Sequence, residues 1–153
     1  MSVKSELRKE YKIIRKNVQN KVEKDKLINK YLLNFELFDK CNQVLFYAAL
    51  DDEVNLDLSV KKALEKEKKV ALPVCIDNRG KMQYYYIRSF DDIEVGTFGV
   101  REPKADFCKP LDSFSNAICM VPAIAVDTSG YRLGYGKGYD DRLLSKVNGL
   151  TIG

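Results

Sequence analysis

The sequence predicts an α/β protein, with a mainly parallel sheet flanked by helices in three layers and one antiparallel hairpin. Three observations lead there. Short apolar runs of strand length alternate with stretches of helical periodicity over most of the chain, the pattern of βαβ units. Two strand-like runs between residues 70 and 87 are joined by Asp77-Asn78-Arg79-Gly80, a turn signal that makes them a hairpin. At 153 residues, 45% hydrophobic and 31% charged, the chain has the size and composition of one folded domain with a single core. The order of the elements is Rossmann-like.

Residues 3 to 18 read as a helix, with Val3, Leu7, Tyr11, Ile14 and Val18 in one apolar stripe. A second helix is expected over roughly 22 to 37, with Ile28, Tyr31, Leu32 and Phe35 on one face. The run Val44 to Ala49 reads as a buried strand, broken by Asp51-Asp52-Glu53. Asn55 is placed to cap a helix from Leu56 to about Lys66, with Leu56, Val60, Ala63 and Leu64 inward. Val70 to Ile76 is the next strand. Met82, Tyr84 and Tyr86 then alternate with more polar neighbours, as a half-buried strand does. Residues 91 to 116 are loop-like, with Gly96, Gly99, Pro103 and Pro110. Ala117 to Val121 is a short strand. A glycine-rich turn follows Gly130, then a helix from about Tyr139 to Lys146, and Leu150 to Ile152 opens a further strand. Ligands of open α/β sheets sit at the carboxyl ends of strands, so the segments after Ala48, Val74 and Val121 are the places to look.

Composition narrows the chemistry. The net charge of +4 suits an anionic ligand, a polyphosphate or a polyglutamylated cofactor, although a basic surface also suits nucleic acid. Cys41, Cys75, Cys108 and Cys119 form no C-x-x-C pair and have no histidine to complete a zinc set. They read as reduced, buried thiols. Without histidine, neither a Ser-His nor a Cys-His nucleophile can operate, and no imidazole serves as general base. Catalysis falls to carboxylates, Lys, Arg, Tyr, backbone amides and metal. The N-terminus is charged throughout, and no apolar run approaches the ~20 residues of a membrane span. A cytoplasmic protein with no membrane partner is expected.

The most informative stretch is Arg132-Leu133-Gly134-Tyr135-Gly136-Lys137-Gly138-Tyr139-Asp140-Asp141-Arg142. Glycines at alternate positions let backbone N–H groups turn toward an anion. The helix start behind them adds its positive end, and Arg132 and Lys137 add full charges. Together these describe a phosphate cradle, and Asp141 in the first helical turn could hold a Mg²⁺ that bridges phosphate oxygens. Taken alone, a glycine-rich turn before a helix is about as often only a turn. The loop is neither a Walker A loop nor a G-x-G-x-x-G fingerprint.

Val121-Pro122, Asp127, Gly130 and the run from Arg132 to Tyr139, with Asp141-Arg142, closely resemble a long family signature. It reads approximately V-P-x-x-x-x-D-x-x-G-x-R-[LM]-G-x-G-[GK]-G-[YF]-Y-D and belongs to the 5-formyltetrahydrofolate cyclo-ligases. The resemblance extends to Lys4 with Leu7-Arg8, to Tyr47 with Glu53-Val54, to Leu72-Pro73, and to Gly96 through Pro103. It covers the whole chain in order. It implies one cyclo-ligase domain over residues 1–153, short at the C-terminus relative to the family. The family usually has Tyr-Tyr-Asp where this chain has Tyr139-Asp140-Asp141.

The resemblance also implies roles. ATP would be met by Lys4, Arg8, Arg132, Gly134, Gly136, Lys137, Gly138 and Tyr139. The folate would be met by Ala48, Glu53, Tyr135, Lys137 and Tyr139. Lys137, Arg132 and Tyr139 would carry catalysis and Asp141 the metal, with Mg²⁺ as cofactor and ATP as co-substrate. The implied reaction is the ATP-driven cyclisation of 5-formyltetrahydrofolate, possibly polyglutamylated, to 5,10-methenyltetrahydrofolate with release of ADP and phosphate, by a monomer that binds no nucleic acid. Two other readings stay open: a non-catalytic relative that binds nucleotide or RNA, and a relative that acts on another formylated or pterin-like compound. Without the signature, Lys4 and Arg8 read as a solvated basic face. Glu53 reads as a loop carboxylate, Ala48 as core packing, Tyr135 as packing under the loop and Arg132 as a surface arginine.

Overall fold

The computed structural model describes residues 2–77, 81–96, 99–135, 146–147 and 149–153. Helices α1 (Val3–Lys16), α2 (Lys21–Leu33) and the short α3 (Glu36–Lys40) precede strand β1 (Gln43–Leu45). Helix α4 (Asp57–Glu65) leads into β2 (Lys69–Cys75) and β3 (Met82–Ile87). After a 3₁₀ turn at Phe90–Asp92 come β4 (Ile93–Val95), β5 (Arg101–Pro103) and β6 (Ala117–Met120). The chain then forms β7 (Ala125–Val126), β8 (Arg132–Leu133) and β9 (Thr151–Ile152).

Five strands make the main sheet in the order β3-β2-β1-β6-β9. β1 runs parallel to β2 on one side and to β6 on the other, and β9 is parallel to β6. Only β3 is antiparallel, pairing with β2 from Val70↔Ile87 to Cys75↔Met82. This is the mostly parallel sheet with one hairpin that the sequence predicts.

The apolar run after Gln43 explains why β1 is central. Alternate side chains of a strand point to opposite faces. Val44 and Phe46 enter the cluster built with Leu32, Phe38, Val60 and Ala63 of the helices. Leu45 enters the opposite cluster with Ala71, Tyr84, Ala117 and Cys119, against which Leu111 and Phe114 pack. From Val44 to Phe46 both faces are therefore apolar, as a doubly covered parallel strand requires. Phe38 and Phe46 meet edge to face at 6.3 Å.

Some expectations change on contact with tertiary structure. α2 stops at Leu33, and Phe35 is the N-cap of α3 rather than part of one long face. Leu32 is buried, but Ile28, Tyr31 and Phe35 are exposed. The inward line of α2 includes Asn29, which donates to the Asn55 carbonyl at 2.8 Å and accepts from the Ser59 backbone N–H at 3.1 Å and the Ser59 hydroxyl at 2.6 Å. A polar side chain with all these partners can be buried without loss, and it sets the rotation of α2 against α4. Leu56, not Asn55, is the N-cap of α4, although Asn55 Oδ1 accepts from the Asp57 N–H at 2.9 Å. Residues 91 to 116 include a small antiparallel pair, β4 with β5, closed by the Gly96 N–H to the Val100 carbonyl at 2.8 Å.

Helix α1 departs furthest from its pattern. Burial of the apolar stripe is the usual use of such periodicity, yet α1 buries no residue. Val3 is 71% and Ile14 52% exposed. The half-buried positions are Ser5, Arg8, Lys12 and Arg15, so the polar, basic stripe is the one turned to the body of the protein. No helix among the described residues is long and apolar enough to cross a membrane.

Phe46 is fully buried beneath the helices. Phe46→Ala is expected to destabilise the fold by about 3–5 kcal/mol, the usual cost of emptying a core aromatic site. The shift of the urea midpoint measures it. A loss below about 1 kcal/mol would mean that β1 does not organise the core.

Candidate active site

At β1 the chain has sent β2 to one side and then places β6 on the other. Parallel sheets open a crevice at such a point, outside the carboxyl ends of the two strands. The loop after β1 carries Asp52 and Glu53, and the segment after β6 carries Pro122 and Ala123. Two neighbouring cavities lie here, of about 340 Å³ and 520 Å³, both lined by Arg15 and Asp52. Glu53, Tyr47, Val121 and Ile124 line the smaller and Lys12 and Tyr135 the larger.

Glu53 is only 6% exposed. Its Oε1 accepts the Leu50 N–H at 2.8 Å, which folds the loop back on itself, and its Oε2 accepts the Tyr135 hydroxyl at 3.0 Å. Tyr47, on the chain leaving β1, donates its hydroxyl to the Val54 carbonyl at 3.0 Å and stiffens the same loop.

The hairpin β7–β8 delivers Arg132 and Tyr135. Its turn is built by Asp127, whose Oδ1 accepts the N–H groups of Ser129 and Tyr131, each at 2.9 Å. Gly130 takes φ +85°, a left-handed value that a side chain would strain. The aspartate and first glycine of the signature are thus turn-forming residues. Beyond the turn, Arg132 Nη1 donates to the Pro122 carbonyl at 3.2 Å. A Cβ on Gly134 would meet that nitrogen at 2.7 Å, so the glycine lets the guanidinium lie across the strap.

Helix α1 closes the site. Arg8 Nε donates to the Gly134 carbonyl at 2.8 Å. Arg15 pairs with Asp52 at 2.9 Å and donates to the Ala123 carbonyl at 3.2 Å, tying the loops after β1 and β6 together. The Lys12 and Arg15 cations each lie 5.4 Å from the centre of the Tyr135 ring. Burial alone would lower the pKa of Arg15, but its contacts with Asp52 and Tyr135 outweigh burial and raise it. Burial, then the Glu53 charge, raise the Tyr135 phenol far above its usual value, and the same causes in the same order raise that of Tyr47. Both phenols are held protonated.

Of the residues singled out in the sequence, Arg8, Glu53, Arg132, Gly134 and Tyr135 come together here. Lys4 lies one turn before Arg8, exposed. Ala48 is buried in the helix-side core cluster and lines neither cavity. Gly136, Lys137, Gly138, Tyr139 and Asp141 lie outside the described residues. Among the described residues no three His, Cys, Asp or Glu side chains converge as a metal site. Sequence reasoning missed Arg15, Asp52 and Lys12. The spacing of Arg8, Lys12 and Arg15 put the three on one face of α1, but nothing local singled out Arg15 or Asp52.

The model of the 5-formyltetrahydrofolate cyclo-ligase family matches residues 1–152. The chain belongs to that family. Among cyclo-ligase relatives, a probable 5-formyltetrahydrofolate cyclo-ligase of Schizosaccharomyces pombe is 27% identical over 127 residues, covering 82% of this chain but 62% of the relative. The 5-formyltetrahydrofolate cyclo-ligase of Haemophilus influenzae is 26% identical over 147 residues, with 92% of this chain and 77% of that one covered. Among solved structures, 5,10-methenyltetrahydrofolate synthetase of Aquifex aeolicus superposes with a TM-score of 0.85 at 34% identity, over 99% of this chain and 77% of that chain. The synthetase of Mycoplasma pneumoniae shares the fold, with a TM-score of 0.70 at 19% identity, over 96% and 80% of the two chains.

The raised phenols make an alkaline prediction. Unfolded tyrosines lose their protons near pH 10, while Tyr47 and Tyr135 keep theirs in the folded protein. Their contribution is complete below about pH 10 and is lost as pH rises beyond it, because the unfolded state then binds fewer protons. Urea midpoints followed from pH 8 to 11 should fall less steeply in Tyr47→Phe and Tyr135→Phe than in the parent. Identical slopes would show that neither phenol is protected.

Proposed function

We propose that the protein is an ATP-dependent 5-formyltetrahydrofolate cyclo-ligase. The observation that carries this reading is the convergence of Glu53, Tyr135 and the arginines of α1 at the switch point between β1 and β6, in a chain of this family. A buried carboxylate beside an apolar cavity suits the N–H donors of a pterin. The basic face of α1 and the strap beyond β8 suit a polyphosphate.

In this reading Glu53 fixes the pterin, with Tyr135 beside it. Lys4, Arg8, Arg132 and the loop of Gly134, Gly136, Lys137, Gly138 and Tyr139 hold the nucleotide. On the resemblance alone, Asp141 would hold a Mg²⁺, which would supply positive charge to the phosphate oxygens. The formyl oxygen on N5 attacks the γ-phosphorus, and the bond to the β-phosphate oxygen breaks to release ADP. The phosphorylated formyl carbon is then attacked by N10, which loses its proton. Expulsion of phosphate leaves the 5,10-methenyl ring. No protein nucleophile is required, in keeping with a chain that has no histidine. The work of the protein is positioning and neutralisation of charge on the transferring phosphoryl group.

Mixing the protein with 5-formyltetrahydrofolate, ATP and Mg²⁺ and following the near-ultraviolet absorbance of the methenyl product tests the proposal. Turnover is expected, and EDTA should abolish it. Nucleotide binding without product would instead support a non-catalytic relative. Lys137→Ala should lower turnover on the order of 10³-fold, the scale of a lost charge contact in phosphoryl transfer, with a smaller effect on folate binding. An unchanged rate would make Lys137 a solvated loop residue. Glu53→Gln should weaken folate binding by about 1.5–3 kcal/mol, the range for hydrogen bonds to a charged group, while ATP binding stays nearly intact. Calorimetry with each ligand separately decides it. A loss confined to ATP would put Glu53 on the nucleotide side.

A further inference from the structure

We propose that Tyr135 is a positioning residue that occupies Glu53 in the absence of substrate and, through the Gly134 strap, couples pterin binding to nucleotide binding. The inference rests on the reading of Glu53 as the pterin carboxylate, and adds to it how the two halves of the site communicate.

Both oxygens of Glu53 are already engaged. One holds the Leu50 N–H of its own loop, and the other takes the Tyr135 hydroxyl from a segment 82 residues away. Glu53 forms no salt bridge among the described residues, so these neutral donors are what stabilise a buried charge. A heterocycle that offers an adjacent pair of N–H donors needs both oxygens along one edge. A carboxylate oxygen can accept twice, and the site that the phenol holds on Oε2 is the one the heterocycle takes, so the phenol is displaced. The displaced ring has somewhere to go, since the cavity of about 520 Å³ opens beside it.

The same ring is fastened from behind. Its preceding residue, Gly134, gives its carbonyl to Arg8 Nε, and its face lies under Lys12 and Arg15. Arg8 spends only Nε on this contact, and its two terminal nitrogens donate to nothing among the described residues. A polyphosphate docks on those terminal nitrogens, and the pull of its full negative charges draws the guanidinium off the Gly134 carbonyl, which carries only a partial charge. Once the strap is slack, lifting Tyr135 from Glu53 costs less. Nucleotide thus tightens folate binding, and by linkage folate tightens nucleotide binding to the same factor.

The test measures the dissociation constant of 5-formyltetrahydrofolate by calorimetry, with and without a non-hydrolysable ATP analogue, for the parent, Tyr135→Phe and Glu53→Gln. In the parent the analogue should tighten folate binding. In Tyr135→Phe, folate alone should bind tighter by on the order of tenfold, the scale of one hydrogen bond to a charged group, and the analogue should add little more. Weaker folate binding in Tyr135→Phe would make Tyr135 a substrate ligand and overturn the proposal. An undiminished nucleotide effect in that variant would overturn it too. Glu53→Gln separates the two levels: unchanged folate affinity there removes the pterin assignment itself, whereas a loss there with a neutral Tyr135→Phe removes only the coupling. Far-ultraviolet circular dichroism of each variant confirms the fold.

Discussion

The parallel pairing of β1 with β2 on one side and β6 on the other is the constraint from which the rest follows. Gln43 lies opposite Lys69 in one ladder and Ala117 in the other, so all three strands point their carboxyl ends the same way. The chain must leave β1 in one direction and return to β6 in the other, and the loops part at that point. Glu53 and Ala123 stand on the two lips of the gap. The chain from the Asp127 turn to the Gly134 strap folds across it. The apolar side chains on both faces of β1 hold this geometry, since a strand with a polar face could not be covered twice.

Arginine rather than hydrocarbon closes the gap. Arg15 reaches a carboxylate on one lip and a carbonyl on the other, and Arg8 reaches the strap. Such contacts are directional, which suits a helix whose task is to hold loops at a set distance. The Arg15–Asp52 pair is largely shielded from water, where removing one partner would leave the other charge buried and unpaired.

Local pattern was enough for the sheet. The pairing of β2 with β3 was legible because the two strand-like runs, with their Tyr84 alternation, lie within a few positions of each other. So was the strand role of Val44 to Phe46, apolar at every step. β4 and β5 were not legible, because three-residue strands on either side of Gly96 and Gly99 have no room to show a period. The rotation of α2 was hidden because Asn29, a residue that ordinarily faces water, finds its partners on another helix. Within the site, Glu53 could be found from its place after a strand and Tyr135 from the glycine run. Arg15 could not be chosen over the other basic residues of α1, since its distinction is the distance to Asp52 and Ala123, a property of the assembled fold.

The inverted packing of α1 makes the molecule respond to ions in two ways. The sheet is held by buried apolar surface, which excluded salts such as sulfate strengthen. α1 is held to the loops by guanidinium contacts, and mobile ions weaken the exposed part of that attraction over a Debye length of about 8 Å at physiological strength. Chloride at high concentration therefore weakens the solvent-facing part of the α1 contacts, least at the shielded Arg15–Asp52 pair, while the sheet stays intact. The amides of α1 then exchange with solvent as a unit of their own, ahead of the core strands. Ionic strength becomes a handle on the site that leaves the scaffold beneath it untouched.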